Sequence, residues 1–147
     1  RSDIHGYITT THGEGYGLPL FEAAYSGLPI VATNWSGHLD FLTINTMQEK
    51  NKKMFAAVDY NLNEIPKKAV WKDILVEGSE WAYPTKQSFQ EQMRNVYNNY
   101  KEYSEMAGKL RTIVKKEYSK ELIYKKMREE IFSQIPKKEE NEEVLVL

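Results

Sequence analysis

The sequence predicts an α/β fold, a partial Rossmann-like parallel sheet flanked by helices and followed by a helical C-terminal region. Three observations carry that prediction. The first forty residues run strand, turn, helix, turn, strand, with glycines at the turns. The segment "PIVAT" (29–33) is an uninterrupted apolar run, as in strands covered on both faces of a parallel sheet. From Thr85 onward the apolar residues recur every three or four positions, which is the helical period.

Taken in order, "IHGYITT" (4–10) mixes β-branched and aromatic residues and reads as the first strand. "PLFEAAYSG" (19–27) reads as a helix, with Pro19 in its first turn and Gly27 at its C-terminal cap. With 29–33 these form a βαβ unit whose crossover is expected to be right-handed. "NWSGHLDFL" (34–42) is a loop entering a short helix, where Asp40 caps or orients residues 38–43 and Gly37 serves a turn. "MFAAVDY" (54–60) follows a hydrophilic connection as a further strand. Residues 61–84 read as irregular, with "EWAYP" (80–84) as an edge strand.

Three apolar stripes follow: Phe89, Met93, Val96, Tyr97 and Tyr100; then Tyr103, Met106, Leu110, Ile113 and Val114; then Ile123, Met127, Ile131 and Ile135. Their tyrosines and methionines are expected in the core. The domain expectation is one unit over 1–135, with sheet and loop in 1–84 and helices in 85–135. The charged segment "PKKEENEEVLVL" (136–147) is expected to be a disordered tail.

Composition narrows the function classes. A chain of 147 residues suits one domain with a real core. The formal net charge of −1 gives no global reason to expect nucleic acid as partner. Without cysteine there are no disulfides and no thiolate metal sites, and a reducing cytoplasm is the expected location. No apolar run reaches membrane-spanning length, and the N-terminus lacks the form of a signal peptide. His5, His12 and His38 have no metal-ligand spacing, so no metal is expected. Trp35 and Trp71 are either sugar platforms or packing residues, with packing the preferred reading.

The chemistry concentrates in "HGEGYGLPLFE" (12–22). Gly13, Gly15 and Gly17 leave the backbone without side-chain cover, so that a ligand can touch the amides. The loop runs straight into a helix, and unpaired N–H groups and the positive dipole end face the same space. That arrangement suits phosphate, and its place after a strand is the usual ligand crevice of an open α/β sheet. Leu18 stands where a dinucleotide fingerprint needs its third glycine, Thr33 and Asn34 stand where an acidic residue would end the next strand, and no G-K-[ST] is present. A dinucleotide site and a P-loop are therefore disfavoured. Glu14 would repel phosphate if aimed inward and makes more sense facing neutral hydroxyls. Glu22, one turn into the helix, suits a vicinal diol such as a ribose, through charged hydrogen bonds of roughly 1.5–3 kcal/mol each. Sugar, diphosphate and ribose together describe a nucleotide-sugar.

On these residues, "GEGYGLPLFEAAYSGLPIVAT" with "NWSGHLDFL" resembles the donor-binding signature of retaining glycosyltransferases of family 4 with the GT-B fold. "EWAYPTKQSFQEQMRNVYNN" resembles the family's W-A-x-P turn leading into a helix. The resemblance covers most of 3–135 and is dense over 12–33. It implies the second half of a GT-B C-terminal domain, with Glu14 as the catalytic residue contacting hydroxyls of the transferred sugar. It implies that Gly13, Gly15, Tyr16, Gly17 and Leu18 hold the sugar and diphosphate, that Glu22 holds the ribose, and that His12 is a further candidate contact. It implies no metal and no cofactor, with retention of configuration by front-face attack.

The sequence departs from the family in length and in charge. A complete enzyme of this type has two Rossmann-like domains, and its donor domain brings an Arg and a Lys to the diphosphate. Here residues 2–48 hold no Lys or Arg. The expectation is a fragment lacking the acceptor site and half of the donor site, inactive alone. Later Lys and Arg are read as solvated helix faces. The edge of strand 4–10 would be bare and would take a second copy or a missing-domain partner. The competing reading is a non-catalytic module that binds nucleotide or a partner chain.

Overall fold

A computed structural model describes residues 3–45 and 50–134. The chain divides into two compact units at Lys115/Lys116. The elements run β1 (Tyr7–Ile8), α1 (Leu18–Ser26), β2 (Ile30–Thr33), α2 (Leu39–Leu42), β3 (Thr43–Ile44), β4 (Lys52–Lys53) and β5 (Ala56–Val58). They continue with β6 (Tyr60–Glu64), a 3₁₀ turn at Lys67–Ala69, β7 (Glu80–Pro84), α3 (Lys86–Asn98), α4 (Tyr100–Glu117) and α5 (Lys120–Gln134).

In the first unit β1, β2 and β5 form a parallel sheet in the order β1-β2-β5. Tyr7 lies opposite Ile30, and Val31 lies opposite Ala56. All four residues of β2 are buried, as expected of a strand covered on both faces. α1 forms between a Pro in its first turn and Gly27, whose φ of 78° caps the last carbonyls. Phe89, Met93 and Val96 of α3, with Tyr103 of α4, pack on Val31, Ala56 and Val58. Side chains at positions 89, 93 and 96 share one helical face. Tyr97, one residue on, points away and is 84% exposed, so its assignment to the core stripe is corrected.

Other expectations change as well. The first strand contracts from 4–10 to two residues, because it has only β2 to pair with. The amides of Tyr7 and Thr9 bond the carbonyls of Pro29 and Val31, both at 2.9 Å, after which the chain turns away. β1 stands at the sheet edge, as expected. The expected strand 54–60 is β5 and the start of β6, and residues 61–64 are not irregular: with Tyr60 they form β6, paired antiparallel with β7 over five residue pairs. "YNLNE" carries little strand propensity, so its structure comes from pairing with "EWAYP".

In the second stripe Leu110 and Val114 are buried, with Ala107 beside them. The second unit contains α5, which holds no buried residue; Ile123, Met127 and Ile131 are exposed. Their expected burial is corrected: four-residue spacing makes a stripe without saying what covers it. Trp71 is 64% exposed and is not a packing residue. Ile135 and the segment 136–147 lie outside the described residues. No helix among the described residues is long and apolar enough to cross a membrane.

Candidate functional site

β1 delivers the chain to the C-terminal end of the parallel sheet, and residues 10–17 carry it over to α1. Gly17 closes this loop with φ 83°. A Cβ there would lie 3.0 Å from Leu20 Cδ1 and 3.1 Å from His38 Cβ, so conformation and space both demand glycine. α1 has no side-chain cap and no acidic residue in its first turn, leaving its positive end uncompensated from within. Gly15 is exposed, and a Cβ built on it meets nothing within 4 Å, so its backbone is open to a ligand. Glu14 is half-buried in the loop. Glu22 is exposed one turn along the helix from Leu18, itself exposed at the helix start.

The Tyr16 side chain points into the fold. Its ring centroid lies 5.2 Å from that of Phe41 and 6.1 Å from that of Phe21, and Phe21 meets Phe41 edge-on at 5.3 Å. Tyr16 therefore ties the loop to α1 and α2 by its ring.

A second loop, after β2, props the first from below. Ser36 adopts φ 87°, a region sparsely populated by residues with a side chain. Its hydroxyl donates to the Glu14 carbonyl at 2.6 Å and accepts from the Glu14 amide at 2.9 Å. The Gly37 amide donates to the same carbonyl at 3.1 Å. A Cβ on Gly37 would fall 2.1 Å from the Gly15 carbonyl oxygen, so the two loops touch backbone to backbone. Beneath them His38 is fully buried and donates from Nε2 to the Thr33 carbonyl at 2.8 Å. Among the described residues His38 Nδ1, Thr33 Oγ1 and Thr11 Oγ1 are buried without a hydrogen-bond partner. Thr11 follows β1, Thr33 ends β2 and His38 lies in the loop after it.

The third support is the β6–β7 hairpin. His12 stacks on Trp81 with centroids 5.0 Å apart and planes 9° from parallel, and Tyr83 lies 4.6 Å away, tilted. His12 Nδ1 donates to the Ala82 carbonyl at 2.8 Å, across 70 residues of sequence. Trp35 packs its ring on Tyr60 of the same hairpin at 5.3 Å.

The structure thus places His12, Gly13, Glu14, Gly15, Tyr16 and Gly17 in one loop, with Leu18 and Glu22 on the helix that continues it. Sequence reasoning missed Ser36 and His38 as supports and gave Gly37 only a turn. It also left Lys53 in a hydrophilic connection, with no part in the site. Lys53 lies on β4 and, with Asn34, Ser36, Asp40, Thr43 and Asn51, lines an open cleft of about 510 Å³ beside the second loop. No group of His, Cys, Asp or Glu placed to hold a metal ion occurs among the described residues.

A family model described as GT4-conflict, family 4 glycosyltransferase in conflict systems, matches residues 4–127. No curated protein and no solved structure matches the chain.

Proposed function

This chain belongs to the family 4 glycosyltransferases of conflict systems, and on that premise we propose that it is the donor-binding part of a retaining glycosyltransferase. The observation that carries the proposal is a glycine-opened loop at an uncapped helix start, flanked by Glu14 and Glu22. In this reading the diphosphate of a nucleotide-sugar rests over the open backbone of Gly15 and the first amides of α1. Glu22 accepts hydrogen bonds from the ribose diol, and Glu14 accepts them from hydroxyls of the sugar. The glycines Gly13 and Gly17 set the loop's path, and Leu18 supplies a helix-start amide.

The reaction is the transfer of a glycosyl group with its anomeric configuration kept. The bond from the anomeric carbon to the diphosphate oxygen breaks. A hydroxyl of the acceptor forms the new bond on the same face, and its proton passes to the departing diphosphate. Charge developing on that diphosphate meets oriented amides that need no rearrangement, which is the electrostatic contribution to rate. No metal and no cofactor enters the scheme. The chemistry also needs cationic groups at the diphosphate, which residues 2–48 do not provide. The scheme therefore includes cationic residues from outside that segment, or from a partner across the exposed edge of β1. A cytoplasmic location belongs to the same proposal.

That shortage of cations favours a second reading, in which the chain binds nucleotide without turnover. A titration with UDP, GDP, ADP and their sugar conjugates, repeated with Glu22→Ala, tests the site. Binding of one diphosphate that the variant loses supports it, and no binding to any of them refutes it. Transfer of labelled sugar to an acceptor or to water separates the enzyme from the binding module.

A further inference from the structure

The Ser36 hydroxyl makes two hydrogen bonds, and both go to one residue. It accepts from the Glu14 amide at 2.9 Å and donates to the Glu14 carbonyl at 2.6 Å, twenty-two positions away in sequence. One oxygen held against both the N–H and the C=O of a residue restricts the two backbone dihedrals of that residue together. It thereby fixes the direction of the Glu14 Cα–Cβ bond, from which the carboxylate hangs. The Gly37 amide adds a third bond to the same carbonyl.

The backbone at Ser36 makes this clasp costly to form. With φ at 87° the position suits glycine, and a side chain there strains the turn. What serine adds over glycine is the hydroxyl, and the hydroxyl is wholly engaged with Glu14. Gly37 next to it has no room for a Cβ, so the turn lies directly against the backbone of Glu14 and Gly15.

We propose that Ser36 is a positioning residue that aims the Glu14 carboxylate at the transferred sugar. The proposal rests on the reading of Glu14 as the sugar contact, and it goes further by assigning the sugar-dependent part of donor affinity to a residue outside the loop. It predicts that losing the hydroxyl weakens recognition of the sugar while recognition of the nucleotide remains.

The test compares wild type, Ser36→Ala, Ser36→Gly and Glu14→Ala in the full chain. Ser36→Ala removes the hydroxyl and keeps a strained side chain, whereas Ser36→Gly removes the hydroxyl and relieves the turn. Two measurements are made. The first is amide hydrogen exchange at Glu14, which needs no ligand. The second is the ratio of affinities for a sugar conjugate and its free diphosphate, using UDP-glucose with UDP and GDP-mannose with GDP.

Both serine variants should exchange the Glu14 amide about tenfold faster and lose about tenfold in the conjugate-to-diphosphate ratio, the weight of one charged-group contact. Affinity for the free diphosphate should stay within about twofold, and Ser36→Gly should be at least as stable as Ser36→Ala. An unchanged exchange rate overturns the clasp. Faster exchange with equal loss of conjugate and diphosphate makes Ser36 merely structural, which overturns the positioning role. A wild-type ratio near one that Glu14→Ala leaves unmoved refutes the reading of Glu14 and the role of Ser36 with it, while the exchange data separately show whether the clasp exists.

Discussion

Two alanine substitutions in the paired loops should behave in opposite ways. In Gly37→Ala the new Cβ would lie 2.1 Å from the Gly15 carbonyl oxygen, 2.8 Å from its carbon and 2.9 Å from the Glu14 carbonyl oxygen. All three are backbone atoms, so no rotamer change relieves the overlap, and the loops must separate by roughly 1 Å to reach ordinary contact distances. That separation breaks or stretches the three hydrogen bonds that join Ser36 and Gly37 to Glu14. At about 1 kcal/mol for each bond, offset by local relaxation, the expected loss is about 1–3 kcal/mol, the range for overpacking a tight site. In Gly15→Ala the Cβ meets nothing within 4 Å, and the residue does not have positive φ. Stability should then stay within about 0.5 kcal/mol of wild type. Urea denaturation of both variants, compared at equal slope, reads the difference. The same Gly15→Ala protein should bind nucleoside diphosphate about tenfold more weakly, because a methyl covers backbone that the ligand approaches. If Gly37→Ala unfolds at the wild-type midpoint, the loops are not in contact and the support drawn for Glu14 is wrong.

The other predictions follow from the same geometry and from the helical layer. His12→Ala removes a stack on Trp81 and Tyr83 and a bond to the Ala82 carbonyl, and should destabilise by about 1–3 kcal/mol; His12→Phe should recover part of this, and tryptophan emission with denaturant titration reads both. Glu22→Ala alters an exposed side chain, so stability should hold within about 0.5 kcal/mol while affinity for the nucleoside diphosphate falls about tenfold or more. Burial pushes the Tyr103 phenol above its ordinary value, and the neighbouring Glu102 carboxylate adds to the shift. The folded state therefore keeps a proton that the unfolded state releases, so this contribution is complete below about pH 10 and is lost as pH rises through the folded value. An alkaline stability series should steepen there in wild type and flatten in Tyr103→Phe; identical slopes would remove the assignment.

Sequence made the central βαβ unit legible because its signals are local. Pro19, Gly27 and the apolar run 29–33 each act within a few residues of themselves. The candidate loop was legible for the same reason, since three glycines leading into a helix declare open backbone wherever they lie. What failed were statements about partners. The four-residue spacing of Ile123, Met127 and Ile131 gave a helix correctly and its burial incorrectly, because periodicity fixes a face but not its neighbour. β6 escaped notice because Tyr60–Glu64 becomes a strand by pairing with residues some twenty positions away.

The same distinction separates the two halves of the candidate site. Its proposed ligand-facing part, Glu14 to Glu22, is contiguous and visible in the sequence. Its supports are Ser36 and Gly37 at one side, Trp81 to Tyr83 at another and Phe41 beneath Tyr16. Each meets the loop across at least twenty residues, and sequence alone had no way to pair them. The clue was the dipeptide Ser36-Gly37, a turn sequence directly after a buried strand and therefore at the ligand end of the sheet. The division has a functional logic. The supports hold the loop through its backbone at Glu14 and through the rings of His12 and Tyr16, and the space above Gly15 is left open. A loop fixed from below and bare above is preorganised for a ligand that reads backbone amides, since binding then need not order the loop first.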